Sequence, residues 1–123
     1  LSISPRIETE EDIQLIKDYT LLPILLDMLA RDIDELQLYK DKIVYHHVIF
    51  HLSEIENAVR SEVLRLKKKM RAANIIVLTT DMNASGIEVE YKVRGYIHHF
   101  KMLRSLVKAE LSSLLADMRR RSG

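Results

Sequence analysis

Apolar residues recur at alternating spacings of four and three over most of this chain. Leu15, Tyr19, Leu22, Leu26, Leu29, Ile33 and Leu36 form the first such seam, which predicts a helix with one apolar stripe. Thr9 precedes it as an N-cap, and Glu10, Glu11 and Asp12 load the first turn with the sign that the helix dipole favours. Pro23 lies inside the seam and predicts a kink or a restart, because proline lacks a backbone donor and clashes with the preceding turn. Leu21, Leu25 and Met28 widen the stripe around it, so this part of the helix must be covered on more than one side. After a polar break at Tyr39-Lys40-Asp41-Lys42, a second seam runs through Val44, Val48, Leu52, Ile55, Val59, Val63, Leu66 and Met70. It predicts one long helix over about 42–71. A start at Ser53 competes with one at Lys42, because Ile43 to Phe50 is rich in strand formers and Ser53 with Glu56 has capping-box spacing.

The period then changes. Ile75 to Thr80 has high strand propensity, Asp81 to Gly86 carries turn residues, and Ile87 to Arg94 alternates apolar and polar without exception. That is a β-hairpin, closed by Gly95. Ile97, Phe100, Leu103, Val107, Leu111, Leu114 and Met118 read as the stripe of a last helix. The expected fold is mainly α. It is a single domain over 1–123, an antiparallel bundle of three long helices (about 9–39, 42–71 and 96–119) with a β-hairpin (about 75–94) between the second and third.

Charge is unevenly spread, although the formal net charge is only +1. Glu8 to Asp41 holds ten acidic and three basic residues, whereas Tyr91 to Gly123 holds eight basic and two acidic. An acidic first helix facing a basic last one would set register and pairing rather than supply much affinity. The length of 123 residues, with 47% hydrophobic and 30% charged, fits one soluble domain. No apolar run approaches the roughly 20 residues that span a bilayer, and the acidic flanks of the apolar stretch Leu21 to Leu29 have the wrong sign for anionic lipid, so no membrane association is expected. Without cysteine there is no disulfide framework, thiolate metal site or thiol nucleophile.

Little in the chain points to chemistry. His47, His51 and Glu54 stand at i, i+4 and i+7 and share a helix face, a spacing at which two histidines can hold one metal ion. His98 and His99, on the expected third helix, would complete such a site. Ser53 and Ser105 lack the setting of an activated nucleophile, and three glycines do not build a phosphate-binding loop. Neither enzyme activity nor a cofactor is expected. A basic helix end with Lys67, Lys68, Lys69 and Arg71, then a hairpin with Lys92 and Arg94 as a wing, has the order of a winged-helix nucleic-acid binder.

Leu22-Pro23 within an acidic first helix, the short break, the long second helix and the closing Lys92-Val93-Arg94-Gly95-Tyr96 resemble small uncharacterised proteins of Bacillus-type bacteria. That family has no assigned activity, so the resemblance implies a bacterial cytoplasmic protein and no more. The leading expectation is a non-enzymatic interaction or regulatory module that self-associates through its helices. A homodimer is favoured, a different protein partner is the other protein-binding option, and Leu21, Leu22, Leu25, Met28 and Leu29 form the partner surface. Winged-helix nucleic-acid binding is the alternative, and histidine-based metal binding the second.

Overall fold

The computed structural model describes residues 8–122. Helix α1 spans Glu10–Leu36, a short 3-10 turn Gln37–Tyr39 follows, and α2 spans Ile43–Ala72. Three strands come next, β1 (Ile75–Asn83), β2 (Gly86–Val93) and β3 (Tyr96–Leu103), and α3 (Arg104–Ser122) ends the chain. The fold is mainly helical with one antiparallel sheet, in the order β1-β2-β3.

Helix α1 starts where its sequence dictates. The Thr9 hydroxyl accepts from the Asp12 N–H at 3.1 Å, and the Asp12 carboxylate accepts from the Thr9 N–H at 2.9 Å. This reciprocal cap satisfies two donors that the first turn would otherwise leave unpaired. Pro23 does not restart the helix, which is continuous to Leu36. It stands on the exposed side, so the ladder bond it removes is lost on the wet face.

The start of α2 is settled at Ile43 rather than Ser53. Ser53 lies mid-helix and donates its hydroxyl back to the Ile49 carbonyl at 2.9 Å, which occupies the group that would have capped a new helix. Tyr39 and Tyr45 hold the turn between the helices with ring centroids 5.1 Å apart, and the Lys42 ammonium lies 5.8 Å from the Tyr39 ring. At the other end, Asn74 takes a left-handed φ of 56° and turns the chain into β1.

The expected hairpin is the first half of a three-stranded meander. The stretch read as the start of the third helix is β3, and α3 begins only at Arg104. Ile97, Phe100 and Leu103 are therefore strand residues, not part of a helical stripe. β3 pairs with β2 along its whole length, from Val93 with Tyr96 to Gly86 with Leu103. A two-residue turn, Arg94-Gly95, joins them with both residues at positive φ (48° and 92°), the geometry that matches the twist of a tight hairpin. At the opposite end β2 opens with Gly86, where a Cβ would fall 1.9 Å from the Met102 carbonyl oxygen.

One sheet face is apolar. Ile87, Val89, Tyr91 and Val93 of β2 are buried, as is Met102 beside them. Strands β2 and β3 lie on α3, whereas β1 meets α1 and the C-terminal end of α2. Ile16, Leu21, Leu22, Leu25 and Leu29 of α1 close the core with Ile55, Val59, Leu66 and Met70 of α2 and Leu114 and Met118 of α3. That core covers only part of the α1–α2 hairpin. Beyond Leu29 and before Leu52 no side chain of either helix is fully buried, so the hairpin projects as a two-helix arm, about 15 Å long at 1.5 Å per residue.

Candidate functional site

The sequence-predicted partner surface is mostly core. Leu21, Leu22, Leu25 and Leu29 are buried within a single chain, and of the five only Met28 is open, at 45% exposure. The correction has a simple cause. The surplus apolar width around Pro23 is covered from one side by α2 and from others by the sheet and α3, so one chain already supplies the second covering layer.

The histidines do not converge. His47 and His51 are exposed on the arm, with Glu54 half-buried one turn on. His98 and His99 are on a strand rather than a helix, so successive side chains point to opposite faces. His99 pairs with Glu90 on the outer face at 2.8 Å, while His98 stacks on Tyr91 with ring centroids 5.7 Å apart. Among the described residues no three histidine or acidic side chains come together in a way that would hold a metal ion.

The basic set divides as well. Lys67, Lys68, Lys69 and Arg71 are exposed at the end of α2. Lys92 is half-buried on the outer sheet face, opposite Ile76 and Ile97. Arg94 is not a wing-tip cation. Its guanidinium turns inward, donating to the Asp12 carboxylate at 2.7 Å and to the Ala73 carbonyl at 3.2 Å.

That inward turn belongs to a polar network which sequence reasoning missed. Asp12 is almost fully buried. Burial pushes its carboxyl up, but Arg94 and the cap from Thr9 outweigh this and leave it below the usual carboxylate value. Beside it the Tyr91 hydroxyl donates to Glu8, and His98 Nδ1 lies 3.7 Å from the same carboxylate oxygen. Burial, together with the Glu8 carboxylate, pushes the Tyr91 phenol well above its ordinary value. The network joins the start of α1, the end of α2 and the β2–β3 turn. Its bonds tie these three elements together.

A second charged cluster holds α3. Glu62 on α2 is buried and takes a two-point bond from Arg65, at 2.6 Å on each oxygen, and a further contact from Arg121 at 3.0 Å. These cations hold its carboxyl below the usual range, against the opposing effect of burial. Asp18 on α1 faces this cluster and makes no ion pair among the described residues. Burial pushes its carboxyl up, and Glu110, Glu62 and Asp117 add to that, against one bond from Gln14 at 2.8 Å.

A family model described as YhjD protein matches residues 7–122. The chain belongs to the YhjD protein family. Comparison with curated proteins and with solved structures returns no match. The YhjD match runs from the start of α1 to the end of α3, so the arm, the sheet and both charged clusters all lie within it. The family is uncharacterised and assigns no role to any of them. No helix among the described residues is long and apolar enough to cross a membrane.

Another feature of this YhjD-family chain is the run of open apolar side chains on the arm. Ile43 is 88% exposed, Val44 72% and Leu38 84%, with Phe50, Val48 and Tyr45 also open. Val44 and Val48 continue the same α2 stripe that Ile55, Val59 and Leu66 bury lower down. The stripe runs on past the third layer that covers it. Ile43 and Phe50, seven residues apart, lie together on a different side of the helix.

Proposed function

We propose that this protein is a non-enzymatic bacterial interaction module of the cytoplasm that works by self-association, with the α1–α2 arm as its interface. The open stripe at Val44 and Val48 carries the reading, because a seam that is buried for half its length and bare for the rest lacks one packing layer. A second arm supplies that layer. Two helical hairpins packed together make a four-helix bundle, and a two-fold arrangement covers both bare seams at once. The acidic side chains Asp27, Asp32, Asp34 and Glu35 on one helix and Lys40 and Lys42 beside the other allow the two arms to alternate in charge.

Light scattering behind a sizing column, at two protein concentrations, tests the proposal. The wild-type chain should run as a dimer, and Val44→Glu combined with Ile43→Glu should run as a folded monomer. A wild-type monomer at the higher concentration, or an unchanged dimer in the double variant, would sink it.

A further inference from the structure

A groove runs beside the first strand, away from the arm. One wall is α1, through Tyr19, Pro23 and Ile24; the other is β1, through Val77, Thr80 and Met82. The groove is almost wholly apolar there. Past Tyr19 and Val77 it continues to the start of β1, where Lys67 and Arg71 of α2 line its mouth. Neither cation has an ion-pair partner among the described residues.

Strand β1 is an edge. It pairs with β2 on one side, and among the described residues no strand pairs with the other. It has nine residues, and every one from Leu78 to Asn83 is exposed. Sheet edges are ordinarily blunted by shortness, by proline or by lysine. This one carries none of these; its protection is limited to one charged residue, Asp81, and to the bulge between Val77 and Thr79, which leaves the stretch from Thr79 to Asn83 in regular register. A row of free backbone donors and acceptors beside an apolar groove is the arrangement by which a sheet accepts an added strand.

We propose that the groove takes an extended peptide as a fourth strand, antiparallel to β1, with acidic side chains at the peptide's C-terminal end. The antiparallel direction continues the pairing of the whole sheet and is slightly the more stable per residue. It brings the C-terminal end of the peptide to Ile75, where Lys67 and Arg71 stand ready for carboxylates. Alternate side chains enter the groove against Val77, Thr80 and Pro23, which selects small or β-branched apolar residues there. A second copy of β1 fits less well. Its one acid, Asp81, pairs with Glu88 on the outer face of the sheet and would bring no carboxylate to the groove face. The inference is independent of self-association through the arm, because it rests on different residues.

The probe is an amidated peptide, acetyl-Thr-Val-Thr-Val-Thr-Glu-Glu-amide, followed by amide NMR of the labelled full chain. Binding should shift the amides of 75–83, slow their hydrogen exchange and leave the arm unmoved. Methylating alternate peptide nitrogens, which blocks the ladder, should abolish it. Exchanging both glutamates for lysine, or using Lys67→Gln with Arg71→Gln, should weaken it by about tenfold or more. These exposed substitutions leave the core untouched, and an unchanged amide spectrum elsewhere confirms it. No shift at millimolar peptide overturns the proposal. So does equal binding of the methylated or lysine peptide, or binding that maps away from β1.

Discussion

Arg94 and Asp12 meet across 82 positions of sequence, Nη2 to Oδ2 at 2.7 Å. The contact explains an otherwise unfavourable backbone. Arg94 sits at φ 48°, in a left-handed region that costs an ordinary residue about 1 kcal/mol. Its guanidinium offsets that by tying the β2–β3 turn to the cap of α1 and to Ala73 at the end of α2.

Arg94→Ala keeps the backbone strain and loses the pair, leaving a buried carboxylate without its cation. Stability should fall by about 2–3 kcal/mol, somewhat below the cost of breaking a fully buried pair because the arginine is partly exposed. Arg94→Gly loses the same pair but relieves the strain, and should recover about 1 kcal/mol of that loss. Urea denaturation of the two variants compares them directly. Equal losses would mean that the turn carries no strain.

This turn also shows why part of the fold was hidden in the sequence. A two-residue hairpin announces itself through Asn-Gly or Asp-Gly. Here the first position is an arginine whose suitability depends on an aspartate 82 residues away. Without that signal the apolar residues of β3 fit the stripe of the helix that follows. Its inward residues His98, Phe100 and Met102 do alternate, but the outward set includes Ile97 and Leu103, so the period of two is masked. β2, with Glu88, Glu90 and Lys92 outward, had no such noise and was legible without ambiguity. The long helices were legible too, from seam and cap. Periodicity could not tell which part of a seam is covered within one chain. Leu25 and Val44 look alike in sequence, and only tertiary packing separates them.

Gly86 should tolerate no side chain. Its φ of 147° and the approach of the Met102 carbonyl leave no room for a Cβ, and the obstacle is backbone rather than a flexible tip. Gly86→Ala should cost about 3 kcal/mol or more and loosen β2 from β3. Thermal unfolding with hydrogen exchange of 97–103 checks this. A loss below about 1 kcal/mol would show that the strands shift to accommodate the methyl.

The carboxylates Glu62 and Asp18 predict opposite pH effects. Glu62 titrates below its usual value when folded, so its contribution is present above pH 4.5 and is lost as the pH falls through the lowered value. Asp18 titrates above its usual 3.8, so its charge opposes folding at neutral pH, an effect that fades as the pH falls through the raised value. Asp18→Asn retains an acceptor for Gln14 and should raise Tm by about 2 °C at pH 7, with the gain gone by about pH 3. Glu62→Gln should lower Tm at pH 7 and match wild type in acid. Melting curves across that range decide both. A gain for Asp18→Asn that persists in acid would rule out charge as its cause.

Leu25 and Val44 finally separate core from interface. Leu25 is 2% exposed, packed among residues of the core. Leu25→Glu places an unpaired carboxylate in that core and should cost more than about 4 kcal/mol, enough to unfold many domains of this size. Val44 is largely open in one chain, so Val44→Glu should leave helical circular dichroism unchanged while shifting the solution mass toward the monomer. The two readouts make the contrast sharp. If the interface were instead the turn around Pro23, Leu25→Glu would yield a folded monomer and Val44→Glu would leave the dimer intact. If the arm is the interface, each variant fails in the other's assay: Leu25→Glu loses structure, and Val44→Glu loses only its partner.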